Sequence, residues 1–132
     1  MQRRGAAALL VLVLVQACHS VEEFAFRLWE KLPPARFVAG LFGLDPATGF
    51  ALSNSALVGF GLWCWAVPVR RGWPSATALM WGWGLVETAN GLGHLGLAFA
   101  AGGYFPGLYS APLLIAAGLL LLFRLAWRAG RA

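Results

Sequence analysis

Four long apolar runs separated by polar joints set the pattern of this chain, at residues 5–26, 50–67, 75–101 and 109–127. Each is close to the roughly 20 residues an α-helix needs to cross a hydrocarbon core of about 30 Å. The strands of a membrane β-barrel would alternate polar and apolar positions over about ten residues, and these runs do not. The pattern predicts an all-α polytopic membrane protein, a four-helix transmembrane bundle forming a single membrane domain over 1–132.

The joints refine this picture. After the first run, Pro33-Pro34 must interrupt any helix. The segment Ala35 to Leu44 that follows is too short to cross; its Phe37, Leu41, Phe42 and Leu44 suit a short amphipathic piece at the membrane surface, and an ordinary loop is the alternative. Trp63 and Trp65 sit where an aromatic belt belongs. The short link Pro68 to Ser75 makes spans two and three antiparallel neighbours, with Pro74 in the first turn of span three. That span is rich in glycine and alanine, which let helices approach closely, and is expected at the centre of the bundle. Span four carries no ionisable residue before Arg124 and is expected to face lipid over much of its surface.

Composition agrees with a bilayer setting, since 60% of the residues are hydrophobic and 11% charged, against about 25% charged in soluble domains. The net charge of +5 does not signal nucleic acid, because the basic residues sit at the ends of the apolar runs and not in one patch. Arg3, Arg4, Arg70, Arg71, Arg124, Arg128 and Arg131 fall on one side of a four-span arrangement, with Arg27, Lys31 and Arg36 on the other. The positive-inside rule then predicts a multi-pass protein of the inner (cytoplasmic) membrane with both termini cytoplasmic. A signal peptide ending in an irregular lipidation box at Cys18 is the alternative for the first run, but Gln16 is unusual inside such a box, and the run is read as an uncleaved span. Cys18 and Cys64 would lie at opposite ends of their spans, too far apart to bridge.

Polar residues inside the spans carry the chemistry. Glu87, Asn90 and His94 are spaced three and four apart, and so are Gln16, His19, Glu22 and Glu23 around the end of span one, so each set shares a helix face. At 1.5 Å per residue, His19 lies about 21 Å along span one, and Glu87 and His94 about 18 and 28 Å along span three, so the two stripes can meet. A carboxylate in mid-membrane costs roughly 2.5–3.5 kcal/mol even on insertion scales, which argues for a task. Three tasks fit. His19, His94, Glu23 and Glu87, with Glu22 in reserve, can ligate a divalent zinc, iron or manganese ion. The same groups can act as acid and base without metal. They can also form a hydrogen-bonded pin between helices.

On the metal reading, Glu22, Glu23, Glu87 and Tyr104 are the candidate catalytic groups, with Asn90 orienting its neighbours. Pro106 and Gly107 shape the turn over the site. The expected activity is that of a metal-dependent membrane hydrolase or oxidoreductase on a lipid-soluble substrate drawn from the bilayer. The alternatives are a proton-coupled carrier, which would need to form a homo-oligomer to enclose a pathway, and an accessory membrane protein.

These residues also resemble a known family. His19-Ser-Val-Glu22-Glu23 resembles the H-x-x-E-E signature of the HXXEE family of small bacterial integral membrane proteins, Asn90-Gly-Leu-Gly-His94 resembles its N-x-x-x-H motif, and Tyr104-Phe-Pro106-Gly107 its Y-x-P-G motif. The three occur in order across residues 19–107, and no motif position departs from the pattern. The resemblance implies a small protein with several membrane spans and marks His19, Glu22, Glu23, Asn90, His94, Tyr104, Pro106 and Gly107 as signature positions. That family has no established function, so the resemblance implies no substrate.

Overall fold

The computed structural model describes residues 2–129, with side chains from Gly5 to Trp127; the side chains of Arg3, Arg4 and Arg128, and Arg131 altogether, lie outside the described residues. Every regular element in the described residues is helical: α1 (Gln2–Ala25), α2 (Leu28–Lys31), α3 (Pro33–Gly40), α4 (Pro46–Cys64), α5 (Ala76–Ala101) and α6 (Ala111–Ala129). The Gly5–Ala25 and Pro46–Val69 stretches are long and apolar enough to cross a membrane. The apolar run Ala111–Trp127 is shorter, and the long α5 is diluted by glycines and its polar face.

Local chemistry sets the boundaries. Arg27 adopts a left-handed conformation, φ 55°, which turns the chain out of α1. Pro33 and Pro34 end one helix, as expected, and also begin the next, since proline at N1 gives up an N–H that has no helical partner. Asp45 caps α4 by accepting the Thr48 N–H at 3.1 Å, and this bond holds its carboxyl below the usual carboxylate range. Around Pro68, which has no N–H to give, α4 loosens into a π turn over Trp65–Val69. Pro74, expected inside the first turn of α5, lies before it: Ser75 takes the N-cap position and the helix starts at Ala76. α5 ends where Gly102 turns left-handed at φ 66°.

Packing places α1 at the centre, where span three was expected. Half of its apolar stretch is buried, against 17% of that in α4. α5 instead lies along α6, where the glycines allow close approach: a Cβ at Gly84 would meet Leu122, at Gly91 the Ala111 carbonyl and Ile115, and at Gly118 the Thr88 hydroxyl. α6 is thus less exposed than its composition suggested. Ala111, Leu114, Ala117, Leu121 and Leu125 pack inward, while Leu113, Leu119, Leu120, Phe123 and Trp127 stay exposed. α4 and α5 follow one another in the chain yet diverge, leaving a cleft of ≈ 410 Å³ between them.

Two apolar clusters result. Leu9, Leu12, Val13, Met80, Trp83, Leu114 and Leu121 belong to the larger, in the half of the bundle that holds the start of α1. The smaller joins Leu28, Trp29, Ala35, Ala39 and Phe50, folding α2 and α3 over the start of α4. There the Ala39 carbonyl rests against Gly49, where any Cβ would collide with it. Phe37, Leu41, Phe42 and Leu44 remain exposed on this cap. Cys18 and Cys64 are both free thiols.

Candidate metal centre

Glu23 follows His19 by four positions on one helix, so α1 presents both on one face. His94 reaches them from α5. Its Nε2 lies 3.0 Å from Glu23 Oε1, and His19 Nε2 lies 3.5 Å from the same oxygen. The two imidazoles meet edge to face with centroids 4.6 Å apart. All three residues are buried, and one ligand atom from each falls within 4.8 Å of the others, so the group can hold a metal ion.

Hydrogen bonds behind the rings fix which nitrogen carries a proton. His94 Nδ1 lies 2.6 Å from the Pro106 carbonyl oxygen. A carbonyl only accepts, so Nδ1 donates. His19 Nδ1 lies 2.7 Å from Ser110 Oγ. The Ser110 hydroxyl hydrogen is already given to Glu22 Oε2 at 2.5 Å, so His19 Nδ1 must donate as well. Both neutral imidazoles therefore turn an Nε2 lone pair toward the Glu23 carboxylate. Three electron-pair donors then converge with no hydrogen between them, an arrangement that repels itself unless a cation or protons occupy the centre. His19 Nε2 is buried with no hydrogen-bond partner among the described residues.

The loop after α5 closes the site. Gly107, at φ 93°, lies against both rings, and a Cβ there would collide with the imidazoles of His94 and His19. Pro106 and Gly107 thus do more than shape a turn: one supplies the acceptor that orients His94, the other the space both rings occupy. Ser110, which the sequence reading did not single out, orients His19. Its signal was faint, a lone serine at the start of an apolar run.

Glu22 and Glu23 are adjacent in sequence and differ in role. Glu22 points away from the three-residue centre and accepts from the Tyr104 hydroxyl at 2.8 Å, the Tyr109 N–H at 3.0 Å, the Ser110 N–H at 2.9 Å and the Ser110 hydroxyl. It is the clasp between α1 and the loop that leads into α6. Tyr104 is part of that clasp; burial, and then the Glu22 carboxylate that accepts its hydrogen, hold its phenol above the usual tyrosine range. Neither residue touches the centre.

Glu87 is buried within electrostatic reach of His19 and Glu23, yet lies outside the three-residue group. Asn90 donates to its Oε2 at a long 3.3 Å, and Glu87 lines the end of the α4–α5 cleft. Beside the centre, Gln16 Nε2 donates to Ser20 Oγ at 3.1 Å and the Ser20 hydroxyl to Asn54 Oδ1 at 2.7 Å, a chain that ties α1 to α4. Comparison with known protein families, curated proteins and solved structures finds no match to this chain.

Proposed function

We propose that this chain is a four-span, HXXEE-type protein of the inner membrane, with both termini cytoplasmic, that binds a divalent zinc, iron or manganese ion through His19, Glu23 and His94 and acts as a metal-dependent enzyme on a lipid-soluble substrate. One observation carries the reading. A single proton between His94 Nε2 and Glu23 Oε1 would satisfy that pair at 3.0 Å, but it would leave His19 Nε2 buried and unpartnered. One cation shared by all three ligand atoms satisfies the whole group. Two imidazoles and one carboxylate suit these metals and leave coordination positions open.

A bound divalent ion supplies Lewis-acid polarisation and activates water or hydroxyl. The protein residues do the rest. Pro106 and Ser110 hold the imidazoles in one tautomer, Gly107 admits them, and burial keeps the three ligands out of bulk solvent. Glu87, with one weak hydrogen bond from Asn90, is the free carboxylate that takes up a proton. The mostly apolar α4–α5 cleft that ends at Glu87 gives a hydrocarbon-bearing substrate a lateral approach. The signature residues of the resemblance gather at or around this one site, which supports the HXXEE assignment.

The second reading, a proton-coupled carrier, draws on the same 3.0 Å His94–Glu23 contact. The packed cluster of Leu9, Leu12, Val13, Met80 and Trp83 weighs against it, because it fills the other half of the bundle with apolar side chains and no ionisable carboxylate or imidazole to relay a proton. Elemental analysis of the purified protein tests the proposal: about one equivalent of metal in the wild type and negligible metal in His94→Ala is the expected result. Equally negligible metal in both, with proteoliposome proton flux lost in Glu87→Gln, would replace the enzyme reading by the carrier.

A further inference from the structure

A second cleft, of ≈ 480 Å³, runs along the seam between α1 and α4. Its wall includes Ser20, Asn54, Ser55, Val58, Gly59 and Leu62, with no charged residue. From Ala51 to Leu62 the cleft follows α4 for about 16 Å, half of a hydrocarbon core of about 30 Å. That is the depth of one leaflet. Its polar groups lie in the part nearer the start of α4, and the part beyond Ser55 is apolar.

The hydrogen-bond directions around Asn54 decide what the polar part can recognise. Asn54 Oδ1 already accepts the Ser20 hydroxyl, and Asn54 Nδ2 gives one hydrogen to the Phe50 carbonyl at 3.2 Å. The second Nδ2 hydrogen and the Ser55 hydroxyl have no partner among the described residues. The wall therefore offers two unused donor hydrogens that can converge on one oxygen, beside one lone pair left on Asn54 Oδ1 and those of the Ser55 hydroxyl. Hydrocarbon supplies no water to satisfy such donors, and the absence of a cation disfavours a charged carboxylate or phosphate.

We propose that the α1–α4 cleft binds one ester-linked acyl chain of a membrane glycerolipid, its carbonyl oxygen accepting from Asn54 and Ser55 and its tail lying along Val58, Gly59 and Leu62. This rests on the membrane-spanning part of the function proposed above and not on the metal. The site lies beside the Gln16–Ser20–Asn54 chain, on the flank of α1 that the metal centre does not use.

The test uses the full chain purified in detergent and offered two phosphatidylcholines of equal chain length, one ester-linked and one ether-linked, with retained lipid read by native mass spectrometry. The wild type is expected to retain the ester form about fivefold better, the value of one net hydrogen bond. Ser55→Ala and Asn54→Leu reduce or erase that preference. Gly59→Leu, whose new side chain enters open space, fills the cleft and lowers retention of both lipids. Gly96→Leu, equally unobstructed but on α5 outside the cleft, leaves the preference intact. Equal retention of ester and ether lipids by the wild type, or full retention by Gly59→Leu, overturns the proposal. Release of the chain from membranes by alkaline carbonate would instead overturn the spanning arrangement, and metal content, read on the same samples, reports on the centre separately.

Discussion

The two halves of the bundle are built on opposite rules. Where α1 begins, Leu9, Leu12 and Val13 pack against Met80, Trp83, Leu114 and Leu121, a contact set in which side-chain shape does the work. Where α1 ends, the same helix presents Gln16, His19 and Glu23, and buried polar atoms are held by directed bonds from a loop. The first half tolerates approximate substitution as long as volume is filled. The second depends on single atoms: the Pro106 carbonyl, the Ser110 hydroxyl and the missing Cβ of Gly107. Shape packing and the candidate metal site are thereby separated along one helix, and each end can be altered by itself.

The largest effect is expected from Gly107→Ala. A left-handed alanine costs about 1–2 kcal/mol, and forcing a methyl group against two imidazoles adds overpacking of about 1–3 kcal/mol. Metal content should fall to background while circular dichroism remains helical. Full metal occupancy in this variant would show that the loop does not set the ligand geometry. In the other half, Leu12→Ala removes a fully buried side chain and should lower stability by about 3 kcal/mol, measured by unfolding in mixed micelles, with metal stoichiometry unchanged. Metal loss there without loss of stability would erase the distinction between the halves. The smallest effect is Ser110→Ala, which removes the acceptor for His19 Nδ1 and should weaken metal affinity about 10–100-fold in chelator competition. Ser110→Thr keeps the hydroxyl and should restore it, whereas a purely structural serine would give no such rescue.

Much of the helical plan was legible in the residue pattern because long apolar runs mark the helices and proline and glycine punctuate them. The expected span of 75–101 meets α5 at Ala76–Ala101, and 50–67 meets Pro46–Val69. Helical spacing also paired His19 with Glu23, and depth matched them to His94. Neighbour relations were less legible. Closeness in sequence suggested that spans two and three would pack together, yet small residues on α5 and α6 created the tighter contact and α4 leaned on α1. Glu23 was the expected ligand and Glu22 the reserve, and both were candidate catalytic groups. Adjacent helical residues point about 100° apart, so Glu23 faced the two histidines and Glu22 the loop.

By itself, the sequence determined that the chain is helical, roughly where its long helices run, and which imidazoles and carboxylates share a face, because these depend on local periodicity and backbone chemistry. Only the tertiary structure decided that Glu23 joins both histidines while Glu22 clasps the loop. Likewise, only the fold made Pro106, Gly107 and Ser110 part of the centre. Those outcomes depend on contacts between residues some ninety positions apart, such as His19 with Ser110, whose directions are set by how whole helices pack and by no pattern within any one of them.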